Sequence, residues 1–252
     1  MRSFRIICLF LATFNLFLPA RARTLEAGIQ HVELMPSVSD DLRPGSIYRG
    51  GLTQDQASNY WVKIPDWMAG TWQMKEETTV NRHDFKTGRT STNPIRFKAL
   101  HKFSYGMQKD RMGGIWHYVG TPYTSRTRLA RLDEYHIVKS KDFVEGVTDR
   151  VEFRSTVTAL RVDPSNARIK KTYQQESITI YRPVPGSLDT IELFGSTRSF
   201  DQDGRPELEN NNEARIRRRA PFEQVDSKDG ADLKALFRAF LIGSGRSNLL
   251  PD

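Results

Sequence analysis

The residues best placed to do chemistry sit on one short run. Ile95, Phe97, Ala99, His101, Phe103 and Tyr105 alternate with Arg96, Lys98, Leu100, Lys102 and Ser104. Side chains on a strand point alternately to opposite faces, so one face of this strand is apolar and the other basic. His101 should therefore point inward, where an imidazole can hold a ligand's polar group. By the same alternation Glu76 and Thr78 share a face with Trp72, Met74 and Val80. Glu76 with His101 is the one acid–base pair the sequence offers, although exposure of Glu76 at an edge would explain that carboxylate as well. Together, Trp72, Met74, Glu76, Phe97, His101, Phe103 and Tyr105 are the expected lining of a pocket for a small apolar ligand. A lone inward histidine in a filled core is the plainer alternative.

Other constellations fall away. His83, His117 and His136 lack the i, i+2 or i, i+4 companions of metal sites, and His31 lies apart from them, so no metal is expected. Asp201-Gln-Asp203-Gly204 with Glu207 is half a calcium loop, and an Asp-Gly hairpin accounts for it. There is no G-x-S-x-G, P-loop or Rossmann glycine pattern, so no catalytic residue and no cofactor are assigned. Arg215, Arg217, Arg218 and Arg219 form a basic run suited to weak contact with an anionic partner, or to a solvated loop.

The elements that must position these residues follow from composition and pattern. The 252 residues are 38% hydrophobic and 27% charged with a mean hydropathy of −0.56, which excludes a polytopic membrane protein. A single cysteine, Cys8, excludes a disulfide scaffold. Residues 1–22 read as a secretory signal: Arg2 and Arg5, an apolar stretch from Ile6 to Leu18, and cleavage after Ala22 in Ala20-Arg-Ala22. The expected compartment is the periplasm, a thylakoid lumen or the extracellular space, where nucleic acid is not an expected partner. Residues 23–63 form an irregular lead-in with one short helix over 53–60. Strand-like runs follow at 70–80, 94–105, 108–119, 128–139, 143–161, 167–182, 188–196 and 197–202. No helical pattern separates them. A mostly β fold is expected over 64–203, a single antiparallel up-and-down β-barrel of about eight strands. Residues 204–228 read as a polar, basic connection. Leu233, Leu236, Phe237, Phe240 and Leu241 make one apolar stripe of a helix over about 229–242, within a C-terminal segment 229–252 packed on the barrel; Asp229 and Asp232 suit its start.

Gly70-Thr71-Trp72 after Ile64-Pro-Asp-Trp67, opening some eight antiparallel strands that end in a helix, resembles the lipocalin or calycin pattern. The layout is also similar to exported lipocalin-like proteins of cyanobacteria and plastids. The resemblance implies that Trp72 plugs the barrel end under an arginine of the last strand, for which Arg198 is the nominee. It implies binding of a small apolar, pigment-like or lipid-like ligand without catalysis. The family's T-D-x signal appears only as Thr148-Asp149, outside its usual place, and its disulfide is absent. Two other functions fit the same residues: a barrel isomerase or lyase using Glu76 and His101, and an envelope structural or adaptor protein with a filled barrel. An open cavity favours the first two readings, and a filled one favours the adaptor.

Overall fold

The computed structural model describes residues 30–50, 58–228 and 230–251. The expected signal over 1–22 and Asp229 lie outside the described residues, as does most of the short helix expected over 53–60, whose last three residues belong to a strand. The strands in chain order are β1 (Ser58–Ile64), β2 (Gly70–Asp84), β3 (Arg89–Ser91), β4 (Ile95–Tyr105), β5 (Gln108–Lys109), β6 (Ile115–Thr121) and β7 (Tyr123–Arg128). The longer ones follow: β8 (Asp133–Val147), β9 (Arg150–Val162), β10 (Ile169–Pro183), β11 (Thr190–Phe200) and β12 (Pro206–Ala220). A two-residue pair, β13 (Ser227–Lys228) and β14 (Ala231–Asp232), leads into the helix α1 (Leu233–Gly243). The chain is mostly β, as its alternating runs imply, with 58% strand and 8% helix.

The large sheet is antiparallel and runs β2-β12-β11-β10-β9-β8-β7, with β3 and β4 side by side on the free edge of β2. It curls into a half-barrel. The curl is visible in one contact: Tyr105 on β4 donates its hydroxyl to that of Tyr181 on β10 at 2.7 Å, although β2, β12 and β11 lie between them in hydrogen-bonding order. Among the described residues no pairing joins β4 to β7, so the sheet is open where the expected barrel would close.

The missing wall is accounted for by the run 108–119, expected as a barrel strand. It divides into β5 and β6, which leave the large sheet and pair with β1 instead. The reason is in the side chains. Ile115, His117 and Val119 alternate with Trp116 and Tyr118, so β6 is apolar on both faces and must lie between two layers. On one side Val62, Ile64, Ile115 and Val119 pack against Trp72, Met74, Tyr105, Val151, Phe153 and Tyr181 of the half-barrel. On the other, Trp61 and Trp116 meet Leu233, Phe237 and Leu241 of α1. Of the expected stripe Leu233, Phe237 and Leu241 are buried and Phe240 is half-buried, on the small sheet rather than on a barrel wall, while Leu236 is exposed. Asp232 caps it, accepting from the Ala235 N–H at 2.8 Å. No helix is long and apolar enough to cross a membrane among the described residues.

Two further segments differ from the sequence reading. Within the supposed connection 204–228, β12 is a central strand between β2 and β11. Ala214, Ile216 and Arg218 take one face and Glu213, Arg215 and Arg217 the other, an alternation that the surrounding charges obscure. The lead-in, for its part, lies on the convex face. There the even positions of β10 hold it: Thr172 donates to Leu42 O at 2.5 Å, Gln174 to Pro36 O at 2.7 Å, and Glu176 accepts from Val32 N–H at 2.9 Å. Burying polar side chains on that row is tolerable because each is spent on a backbone group.

Phe237 is fully buried between Trp61 and Trp116, with ring centroids at 4.8 and 5.8 Å. Phe237→Ala should cost about 3–5 kcal/mol. A chemical denaturation midpoint equal to that of the unmodified protein would contradict this placement.

Candidate ligand site on the concave face

One end of the half-barrel is sealed by Trp72. Its side chain is fully buried, its indole N–H donates to Met68 O at 2.8 Å, and a guanidinium covers its ring at 4.2 Å. That guanidinium belongs to Arg218 on β12, not to Arg198. Arg218 also donates to the carbonyls of Ala69, Trp67 (2.9 Å) and Leu188 (3.1 Å), tying the turn before β2 to the last long strand. Burial lowers its pKa, and those carbonyls give the desolvated cation its partners. Arg198 lies on the convex face, paired with Glu209 at 2.6 Å and bonded to Val32 O at 3.0 Å. Arg198 is displaced from this role because the charged run of β12 has the composition of a loop, and β12, not β11, is the last long strand.

Beyond Met74 the register of β2 shifts against both of its neighbours. This bulge moves Glu76 off the face of Trp72 and Met74 and puts Glu77 there, opposite Phe97 and Ala214. The acid near His101 is therefore Glu77. Burial raises its carboxyl pKa, against the pull of His101 and a hydrogen bond from Asn212. On β4 the alternation holds: Phe97, Ala99, His101, Phe103 and Tyr105 share the concave face. Their environment differs from a closed pocket, because the facing wall is absent. Ala99 and Tyr105 are buried, Phe103 is half-buried, and His101 and Phe97 are exposed, Phe97 by 41%. The rings form a ladder from the open end inward, His101 to Phe103 at 6.2 Å and Phe103 to Tyr105 at 6.4 Å.

The inner end of that ladder is a cluster that sequence reasoning missed. Tyr105 lies 5.5 Å from the His117 ring, 6.4 Å from Phe153 and 5.4 Å from Tyr181. Over these rings sits the Lys141 ammonium, 4.8 Å from the centre of Phe153 and 5.8 Å from that of Tyr105. A bulge on either side of it in β8 aims Lys141 here, and Tyr60 of β1 fixes the strand by donating to Lys141 O at 2.6 Å and accepting from Phe143 N–H. Burial, with repulsion from Lys228, brings the Lys141 pKa down to about 8. Burial, then Lys141 and Lys228, brings His117 down to about 3, so its imidazole is neutral at physiological pH. Burial raises both tyrosines, Tyr181 to about 12. The only sequence signal for the lysine was its phase on β8 opposite Ser155, which the two bulges scramble.

The basic run divides between the faces. Arg218 turns inward, while Arg215, Arg217 and Arg219 face out. A cleft of about 600 Å³ lies on this outer side, where Lys75, Arg96, Arg215 and Arg217 meet Glu76, Glu192 and Glu213. Arg215 is paired with Glu192 at 2.8 Å, and Arg219 with the Gln73 carbonyl oxygen at 2.6 Å. Of the other histidines, His31 is buried between Glu176 and Ser196 at 2.8 Å each, His83 contacts Thr90 and His136 contacts Glu134. Asp201 accepts from the N–H groups of Asp203 and Arg205 at 2.9 Å, the bonding of a tight turn.

Arg218→Ala leaves three carbonyls and the Trp72 ring without their partner and should cost about 2–4 kcal/mol, more than Arg198→Ala at about 1 kcal/mol. Denaturation that ranks the two the other way would return the sealing role to Arg198. The unfolded chain binds a proton at His117 near pH 6.5, whereas the folded one does so only near 3. Stability should therefore fall as pH drops through that window, by up to about 1.4 kcal/mol per pH unit. His117→Leu should flatten this slope, and an unchanged slope would show that the imidazole is not buried neutral. Compared with known proteins, the chain matches no family model, no curated protein and no solved structure.

Proposed function

We propose that this protein is an exported, non-catalytic binding protein that holds a small apolar ligand against the concave face of its half-barrel. The observation that carries the reading is the ring ladder from His101 through Phe103 to Tyr105, apolar on a solvent-open face and continued outward by the exposed Phe97 and Ile95. The face offers such a ligand a packed end and an open mouth. A lipocalin-like origin fits the stacking of an arginine from the last long strand over Trp72. Export rests on the signal pattern of residues 1–22. In the isomerase or lyase alternative the acid beside His101 becomes Glu77, because Glu76 faces the outer cleft.

A second reading has its own support. The β1-β6-β5 layer packs one end of the half-barrel, and the cationic side chains of the outer cleft suit an adaptor that grips an anionic partner. The two readings separate in one titration. Nile Red should gain fluorescence on the purified mature protein, and Phe103→Ala should weaken that binding about tenfold while leaving the far-ultraviolet circular dichroism unchanged. Dye binding that is indifferent to Phe103 but lost in Arg215→Ala/Arg217→Ala would move the site to the outer cleft.

A further inference from the structure

The cluster at the inner end of the ring ladder holds positive charge without an answering carboxylate. Lys141 has the Phe153 and Tyr105 rings beside it and Lys228 of β13 as its charged neighbour; among the described residues no acid pairs with it. Asp142, next in the chain, takes the opposite face of β8, across from Arg154. His117 on β6 is 5% exposed, and its Nδ1 has no hydrogen-bond partner. The remaining polar groups are satisfied: Tyr105 and Tyr181 bond to each other, and Tyr60 is committed to the β8 backbone. A desolvated ammonium facing a second cation is costly, and so is a buried imidazole nitrogen without a partner. One kind of group would relieve both costs, an anion that accepts from Lys141 Nζ and from the His117 ring.

We infer that this cluster is the head-group subsite for a small amphiphile bearing a carboxylate, held by Lys141 and His117 with its apolar body along Phe103 and His101. The inference rests on the concave-face reading above and names its ligand class. An inorganic anion would gain nothing from the rings, whereas a chain would. At about 3.3 Å per residue, His101 to Tyr105 spans roughly 13 Å and Phe97 to Tyr105 roughly 26 Å. The shorter of these lengths, along His101 and Phe103, suits an alkyl carboxylate of about ten carbons. Lys141 is protonated below about pH 8, so the subsite is charged at neutral pH and discharges as pH rises.

The test is calorimetric titration of the purified full-length mature protein with decanoate and with 1-decanol, each below its aggregation limit. Decanoate should bind at least about tenfold more tightly than decanol. Lys141→Gln should abolish that preference, Lys141→Arg should restore most of it, and the decanoate affinity should fall as pH rises above about 8 in the unmodified protein only. Equal affinity for the two ligands, or a preference that survives in Lys141→Gln, would overturn the subsite while leaving the apolar site standing. Failure of both ligands to bind would instead overturn the concave-face reading on which it rests.

Discussion

Tyr105 of β4 and Tyr181 of β10 share a hydrogen bond across three intervening strands, and the sheet can make that bond only by curling. The curl divides the concave face. At the end where the two hydroxyls meet, the wall is close enough to be filled by one extra layer, and β1 with β6 supplies it. Toward the other end the strands run on beyond that layer, and their inward side chains, Glu77, Thr79, Asn212 and Ser177 among them, are half-solvated. A filled end next to an open mouth is therefore one consequence of a single curvature, not two separate features.

The same geometry sets a solvation problem on both sides of the sheet. Long strands in a half-barrel expose their convex face as well, and here the lead-in crosses it. Thr172, Gln174 and Glu176 bind its backbone, and Arg154 bridges to Glu176 at 2.8 Å. Burial opposes the charge on Glu176, but the Val32 N–H, His31 and Arg154 outweigh it and hold the carboxyl below its usual pKa. The polar side chains of β10 that hold the lead-in are thus partnered, whereas the buried Thr158 hydroxyl opposite Gln174 has no hydrogen-bond partner. On the concave side no acid among the described residues pairs with Lys141, and the His117 Nδ1 has no hydrogen-bond partner; the proposed head-group subsite stands on these two observations and on the rings around them.

Much of this fold was legible because alternation survives wherever a strand is regular. The phase of β4 read from Phe97, His101 and Phe103 is the phase the structure has, and Leu233, Phe237 and Leu241 of the helix stripe are the buried face of α1, with Leu236 left outside it. Bulges defeat the method. One extra residue in β2 exchanges Glu76 for Glu77, and two irregularities in β8 hide the direction of Lys141. Charge also misleads: Glu213 to Arg219 looks like a solvated loop until Ala214, Ile216 and Arg218 are seen to share a face. With β12 disguised in this way, the sequence places the sealing arginine one strand early, on β11. Periodicity within one strand cannot say which strands pair, so the departure of β6 to a second sheet could be inferred only from its having two apolar faces.

The proposed ligand site is the open concave face and not the outer cleft. Intermolecular nuclear Overhauser effects between decanoate protons and assigned aromatic rings test it most directly. The account predicts cross-peaks from the chain to Phe103 and from the carbons near the head group to Phe153, with none to Phe194 at the outer cleft. Cross-peaks to Phe194 with silence from Phe103 and Phe153 would contradict it.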